Sequence, residues 1–182
     1  MQKINFENSK IEHIVGQKYI DEDSNNLGQQ NQLNYDNLLA VCEGKSCHKE
    51  EHCDTNRSKF QNKYPQRKLF ITPLENRIMQ NIKFTSKGMI FYDSFTEIEE
   101  IEKLKDYNSL SEIENIKYDI QKVLNLNCNN LKEKRAILIN VLEKQTNYWS
   151  NKKKIKELYN RFISNPSDEF SQVAIYHLGR KL

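Results

Sequence analysis

The chain has 182 residues, of which 37% are hydrophobic and 29% charged, and its formal net charge is +3. This length allows one domain with its own core, or a small domain with a helical extension. The modest net charge excludes a uniformly basic nucleic-acid-binding protein, so any nucleic-acid contact must come from local patches or from a partner. No apolar run reaches the length of a membrane span, and the polar residues 1–10 lack the apolar stretch of a signal peptide. We therefore expect a soluble, cytoplasmic protein.

The cysteines are unevenly distributed along the chain. Three of the four fall between Cys42 and Cys53, and the fourth is Cys128. Thiols stay reduced in the cytoplasm, so this spacing favours metal ligands or free thiols over disulfides.

The first 65 residues are predicted to form short elements separated by polar loops. Weak alternation at 10–15 predicts a short strand, and the apolar centre of 34–42 predicts either a strand or a short helical turn. The Asp-, Asn- and Gln-rich stretch 21–32 and the polar stretch 43–51 are typical of loops. A helix is expected to open within 52–60, with Asp54 or Thr55 as its N-cap.

The rest of the chain divides into a hairpin and a helical region. Two apolar runs at 81–85 and 89–92, separated by Ser86, Lys87 and Gly88, predict a β-hairpin whose turn is supplied by the glycine. Beyond residue 96, apolar residues recur at helical spacing. The predicted helices lie within 98–104, 116–124, 135–143, 152–163 and 169–178. We expect an α+β fold with segments 1–65, 66–95 and 96–182, in which the hairpin packs on the first segment.

Side chains suited to phosphodiester hydrolysis are concentrated in the first segment. They are Glu12 and His13, Asn37, and the run from His52 to Asn56. Hydrolysis needs a base that deprotonates water and a positive charge that stabilises the transition state. A histidine can act as that base near neutral pH, and carboxylate and amide oxygens bind hard divalent ions such as Mg²⁺. Adjacent residues on a strand point to opposite faces, so Glu12 and His13 reach one site only at a bent strand end.

An ordered series of segments resembles the HNH, or ββα-metal, nucleases. Within that family it is most similar to the retron-associated and Septu-type proteins, whose nuclease subunit is usually called PtuB. The resemblance runs from about residue 10 to residue 143, and the series is more specific than any one segment. The matching segments are KIEH (10–13), LNYDNLLAVCEG (33–44), HCDTN (52–56), ITPL (71–74), KFTSKGMI (83–90), VLNLN (123–127) and LKEKR (131–135).

The resemblance implies a role for each residue of the candidate site. His13 would be the general base, Glu12 would bind or orient a catalytic metal such as Mg²⁺, and Asn37 would hold the loop and the histidine in position. Either Asp54 or Asn56 would complete the metal site from the start of the helix. Arg57 and Lys59 would contact the phosphate backbone of the nucleic acid.

Many HNH domains also carry a structural zinc ion. Cys42, Cys47, His52 and Cys53 supply ligand types suited to tetrahedral zinc. The family usually has a Cys-x-x-Cys segment upstream of the Glu-His pair, and residues 1–10 contain no cysteine. Three explanations are open. The chain begins late, these four residues bind zinc by themselves, or hydrophobic packing replaces the metal.

The resemblance implies an endonuclease of a bacterial anti-phage system that cuts DNA or tRNA. The expected partner is an ABC- or SMC-like ATPase of the PtuA type, in some systems with a retron reverse transcriptase and its RNA–DNA hybrid. The alternative is a catalytically degenerate module that binds zinc or nucleic acid and docks the partner. The apolar stripes of the helical region could either dock the ATPase or form internal core.

Overall fold

The computed structural model describes residues 9–21, 23–42, 44, 50–64, 67–94 and 110–182. These residues form an α+β arrangement with two separate two-stranded antiparallel sheets. Within the described ranges, no helix is long and apolar enough to cross a membrane. The helices are α1 (Leu27–Gln30), α2 (Cys53–Lys63), α3 (Asn76–Gln80), α4 (Glu112–Tyr118), α5 (Asn129–Gln145), α6 (Lys152–Ser164) and α7 (Ser171–Gly179).

The first sheet and α2 follow one another in the order strand, strand, helix. Strand β1 (Ser9–His13) pairs antiparallel with β2 (Leu38–Cys42), with Glu12 opposite Leu39 and His13 opposite Leu38. The strand predicted at 10–15 is therefore confirmed, although it begins and ends earlier. The segment at 34–42, for which a strand and a helical turn were both open, contains both, because a 3₁₀ turn (Tyr35–Asn37) leads directly into β2.

Helix α2 begins differently from the sequence prediction. Its N-cap is His52, which makes no side-chain capping bond, so the prediction of Asp54 or Thr55 as the N-cap was wrong. The chain enters the helix through Cys53, whose φ of 51° is left-handed and whose amide donates to the Leu124 carbonyl at 2.7 Å. The Asp54 carboxylate is engaged by Lys10 instead of capping the helix.

The second sheet is the predicted hairpin. Strand β3 (Ile82–Phe84) pairs antiparallel with β4 (Ile90–Tyr92). Gly88 has a φ of +75°, and a Cβ atom there would lie 2.2 Å from the Lys132 carbonyl oxygen. Glycine is therefore required both by the turn and by the close approach of the hairpin to α5.

The described helices after residue 110 confirm the helical prediction, while its segment at 98–104 lies outside the described residues. Ser111 and Glu114 form a reciprocal capping box at the start of α4, which runs on into a π-helical turn (Asp119–Val123). The apolar stripes of α6 and α7 are buried, so they form internal core.

One core joins the hairpin to the helical region. The hairpin, which we expected to pack on residues 1–65, shares a hydrophobic cluster with residues that follow position 110. Cys128 is also buried there, as a reduced thiol. The buried members are Ile71, Ile78, Ile82, Phe84, Tyr92, Ile116, Ile120, Cys128, Leu131, Ile139, Phe170 and Val173.

A buried ion pair attaches the segment before the hairpin to this core. Asp119 is fully buried, and its carboxylate accepts from Arg67 at 2.7 Å and from the amides of Phe70 and Ile71. Burial raises the pKa of Asp119 to about 6, against the opposing effects of the Arg67 charge and the amide bonds. At neutral pH the carboxylate is therefore ionised and paired.

We predict that Asp119→Ala destabilises the fold strongly, by about 3–5 kcal/mol, because Arg67 would remain buried without its counter-ion. The free energy of unfolding, measured by urea denaturation at neutral pH, checks this. The matched control is Glu112→Ala, which removes a carboxylate from an exposed pair with Arg77 and should change little. Equal effects of the two substitutions would contradict the role assigned to burial.

Candidate active site

Three charged side chains connect β1 to the first turn of α2. Alternation along β1 puts Lys10 and Glu12 on one face, and it puts His13 on the other face with Ile11, which is 69% exposed. The Lys10 ammonium lies 3.1 Å from Glu12 Oε1 and also contacts Asp54 Oδ2. A carboxylate from the strand and a carboxylate from the helix therefore converge on one cation.

The two carboxylates of this cluster are shielded from solvent, and the Arg57 guanidinium lies close enough to interact with both of them in addition to Lys10. The Asp54 side chain is 4% exposed and that of Glu12 is 26% exposed. Burial, followed by the nearby Asp54 carboxylate, raises the pKa of Glu12, and the Lys10 ammonium only partly offsets this. Burial lowers the pKa of Lys10, but its bonds and attraction to Asp54 and Glu12 outweigh burial and raise that pKa overall. The two carboxylates therefore strongly favour a bound cation.

Asn37 fixes the backbone immediately after His13. Its side chain is 5% exposed, its Oδ1 accepts from the Val15 amide at 2.6 Å, and its Nδ2 donates to the Val15 carbonyl at 3.2 Å. Nδ2 also donates to the Asn31 carbonyl, and the Asn37 carbonyl accepts from the Ile14 amide. Asn37 is therefore a positioning residue for the end of β1, which is the role that the HNH resemblance implies.

His13 is the last residue of β1, and its ring is half-buried. Its Nε2 lies 2.8 Å from the Gln32 carbonyl oxygen, which can only accept, so Nε2 carries the proton in this bond. In the neutral ring Nδ1 then holds the lone pair that a general base needs. Within the described ranges, His13 pairs with no carboxylate.

The structure separates the roles of Asp54 and Asn56. Only Asp54 is brought to the Lys10–Glu12 pair. The Asn56 side-chain amide donates to the carbonyls of Lys122 and Val123 at 2.7 and 2.9 Å, which ties α2 to the π-helical turn. Of the two candidate metal ligands, Asp54 is the one that can share a cation with Glu12.

The two basic residues expected to contact phosphate lie in different environments. Arg57 is 7% exposed, and its Nη2 donates to the Ile14 carbonyl at 2.6 Å. This bond holds the backbone just after His13 against α2. Burial lowers the pKa of Arg57, and the charges of Asp54, Glu12 and Asp119 oppose this. Lys59 is 69% exposed and lies 2.5 Å from Glu51, which leaves it accessible at the surface.

The proposed zinc ligands are described only in part. His52 is 1% exposed, and its Nδ1 lies 3.3 Å from Cys53 Sγ. Cys47 lies outside the described residues, and for Cys42 only the backbone is described, at the end of β2. Among described side chains, no group of three or more His, Cys, Asp and Glu residues is placed to hold a metal ion.

The carboxylate pair nevertheless fits a magnesium-type site. Mg²⁺ in proteins is commonly held by one or two carboxylates, with water and substrate phosphate completing its coordination. Glu12 and Asp54 supply such a pair, and their joint contact with an ammonium shows that a cation is attracted there. Lys10 is the residue that sequence reasoning missed. The available signal was its i, i+2 spacing from Glu12 on a predicted strand.

The helical region positions the start of α2 through several hydrogen bonds. The Cys53 amide donates to the Leu124 carbonyl, and the Asn125 side chain donates to the Glu51 carbonyl at 2.8 Å. Glu50 accepts from the Asn129 side chain and from the Asn130 amide. The location of Asp54 is therefore set by residues 122–130 as well as by its own helix.

No protein-family model, no curated protein and no solved structure matches this chain. The strand, strand, helix order and the converging carboxylates are the features on which a functional proposal can draw.

We predict that Asn37→Ala loosens the end of β1, because the half-buried Val15 amide and carbonyl lose their side-chain partner. The expected cost is about 1–3 kcal/mol for the unsatisfied groups. Hydrogen exchange of the Ile14 and Val15 amides should accelerate. Asn62→Ala removes an exposed amide that binds Lys18 and serves as the control. Unchanged exchange at Val15 in Asn37→Ala would contradict the positioning role.

Proposed function

We propose that this protein is a metal-dependent endonuclease of the HNH type that hydrolyses phosphodiester bonds in DNA or tRNA. One observation carries the proposal: Glu12 of β1 and Asp54 of α2 converge on one cation, the Lys10 ammonium. The strand, strand, helix order and the hydrogen bonds between the Asn37 side chain and the Val15 backbone support the same assignment.

Each residue then has a defined part in hydrolysis. A bound Mg²⁺ would stabilise the charge that develops on the phosphoryl group. Glu12 and Asp54 would hold that ion, and the lone pair on Nδ1 of His13 would accept a proton from the attacking water. As the water oxygen bonds to phosphorus, the bond from phosphorus to the leaving oxygen would break; the leaving oxygen would keep the electron pair and take a proton from solvent water. Asn37 and the Gln32 carbonyl keep the imidazole in one orientation and one tautomer.

Lys10 competes with a divalent ion for the same carboxylates. We expect the metal to displace the ammonium, because a divalent charge is attracted more strongly by two carboxylates than a single positive charge is. Lys10 is only partly shielded, so it can move to solvent or to a substrate phosphate once released.

We predict that Lys10→Met raises the affinity for Mn²⁺, used as a probe for Mg²⁺, several-fold over the unaltered chain. Glu12→Gln and Asp54→Asn should each weaken binding severely, because each removes a charged ligand. Isothermal titration calorimetry measures all three. The control is Asp168→Asn, which removes an exposed carboxylate paired with Arg161. If Lys10→Met left the affinity unchanged, the competition would not exist.

We predict that His13→Ala lowers the rate of DNA or tRNA cleavage by about 10²–10⁴-fold, which is the usual contribution of a general base. The affinity for Mn²⁺ should be unchanged, since His13 is not one of the proposed metal ligands. Added imidazole should restore part of the rate, because it can replace the missing base. A His13→Ala protein that cleaves like its parent would show that His13 is not the base.

One observation favours a second candidate, a degenerate module that binds nucleic acid or a partner without cleavage. The ammonium of Lys10 already neutralises part of the carboxylate pair and could replace the metal permanently. In that case neither Mn²⁺ binding nor cleavage would be detected in the unaltered protein. The fold would be retained, because the Lys10 contacts join β1 to α2 in the same way.

We propose an ABC- or SMC-like ATPase as the partner, in some systems together with a retron reverse transcriptase and its RNA–DNA hybrid. The buried stripes of α6 and α7 are used within the core, so they are not available for docking. The outer face of α5 carries exposed apolar side chains one turn apart, Ile137 and Val141, that suit such a contact.

A further inference from the structure

A cavity of about 400 Å³ lies in the helical region, between the hairpin and the end of α7. It falls within the usual size range of ligand pockets. Aromatic rings line it together with two cations, and none of these residues belongs to the carboxylate site. The residues that matter most are Phe84, Trp149, Tyr176, His177, Arg180 and Lys181.

The two cations lie against two of the aromatic rings. The Arg180 guanidinium is 5.5 Å from the centroid of the Tyr176 ring and donates to its hydroxyl at 3.1 Å. The Lys181 ammonium is 5.8 Å from the centroid of the Trp149 ring. Both cations are exposed, so they can move off the rings and bind an anion at the mouth of the cavity when a base stacks on the aromatic face.

Trp149 is held at the cavity by an unusual stretch of backbone. Asn147, Tyr148 and Trp149 have φ values of 48°, 52° and 66°, so three consecutive residues other than glycine are left-handed. Such a conformation is costly and persists only where the surroundings enforce it. Here the Trp149 indole donates to Glu143 at 3.0 Å, and its amide donates to the Thr146 hydroxyl. The strained turn therefore fixes one ring in a defined orientation.

His177 adds a polar group to the same lining. Its Nε2 is buried and, among described residues, has no hydrogen-bond partner. Its ring stands edge-on to that of Tyr176, with 5.2 Å between centroids. Burial, together with the Arg180 charge, lowers the pKa of His177, so the ring is neutral at physiological pH.

Oriented aromatic faces with cations at the rim suit one class of ligand. Bases of single-stranded nucleic acid stack on such faces, while Lys and Arg bind the adjoining phosphate. Among the described residues of the lining, Glu143 is the one carboxylate, and it accepts from the Trp149 indole; its negative charge remains, but the two cations of Arg180 and Lys181 outnumber it. A wholly apolar ligand would leave the two cations unused.

We propose that this cavity binds one unstacked base, with its adjoining phosphate, of a single-stranded nucleic acid. The site is separate from the carboxylate pair and does not require catalysis by His13. It would hold a strand on the protein whether or not that strand is cut.

The chain contains a single tryptophan, Trp149, which makes its fluorescence a direct reporter of stacking. We predict saturable quenching when a short oligodeoxyadenylate is titrated into the full-length protein in EDTA. Arg180→Ala and Lys181→Ala should each weaken binding several-fold. Each should also reduce the dependence of log affinity on log salt by about 0.7, the value for one phosphate contact in a single strand.

Lys153→Ala, which removes an exposed cation from α6, is the matched control and should bind like the unaltered protein. Arg180 and Lys181 are exposed, so their variants should fold, and circular dichroism checks this. The absence of quenching, or equal losses in all three variants, would overturn the proposal. Equal quenching by an acidic polypeptide such as polyglutamate would also overturn it, by showing general affinity for anions. Because EDTA removes divalent ions, failure here leaves the nuclease proposal untouched.

Discussion

The contact of one ammonium with two carboxylates connects the first sheet to the rest of the molecule. A two-stranded sheet such as β1–β2 is marginally stable by itself and needs to pack against other elements. Here β1 is joined to α2 by Lys10, Glu12 and Asp54, and Arg57 adds a bond to the Ile14 carbonyl. The contacts that hold the strand therefore also assemble the candidate site. A metal ion bound by the same carboxylates would keep this connection while replacing its cation.

The helical region acts as the scaffold for that site. The π-helical turn begins at the buried Asp119, and π-helical turns are frequent at functional positions. Carbonyl oxygens within this turn accept hydrogen bonds from the Asn56 side chain, and the Leu124 carbonyl just after it accepts from the Cys53 amide. These bonds fix the first turn of α2. The location of Asp54 thus depends on a core more than sixty residues further along the chain.

Local patterns predicted much of the fold, and long-range contacts account for what they missed. The β3–β4 hairpin followed from two apolar runs and Gly88, since the turn demands that residue. The choice between Asp54 and Asn56 could not be made from sequence, because both lie in the first turn and their partners come from distant segments. The burial of Arg57 and the left-handed turn at Trp149 likewise have no local signal. The convergence of Glu12 and Asp54 was expected from the HNH resemblance alone, since no spacing rule brings positions 12 and 54 together.

The most direct measurement is crystallographic, on crystals of the full chain soaked in Mn²⁺, with anomalous scattering used to locate the metal. We expect one strong anomalous peak between the carboxylates of Glu12 and Asp54, with the Lys10 ammonium moved away. A fully soaked crystal with no peak at that position, and with Lys10 still bound to both carboxylates, would contradict the proposed metal site.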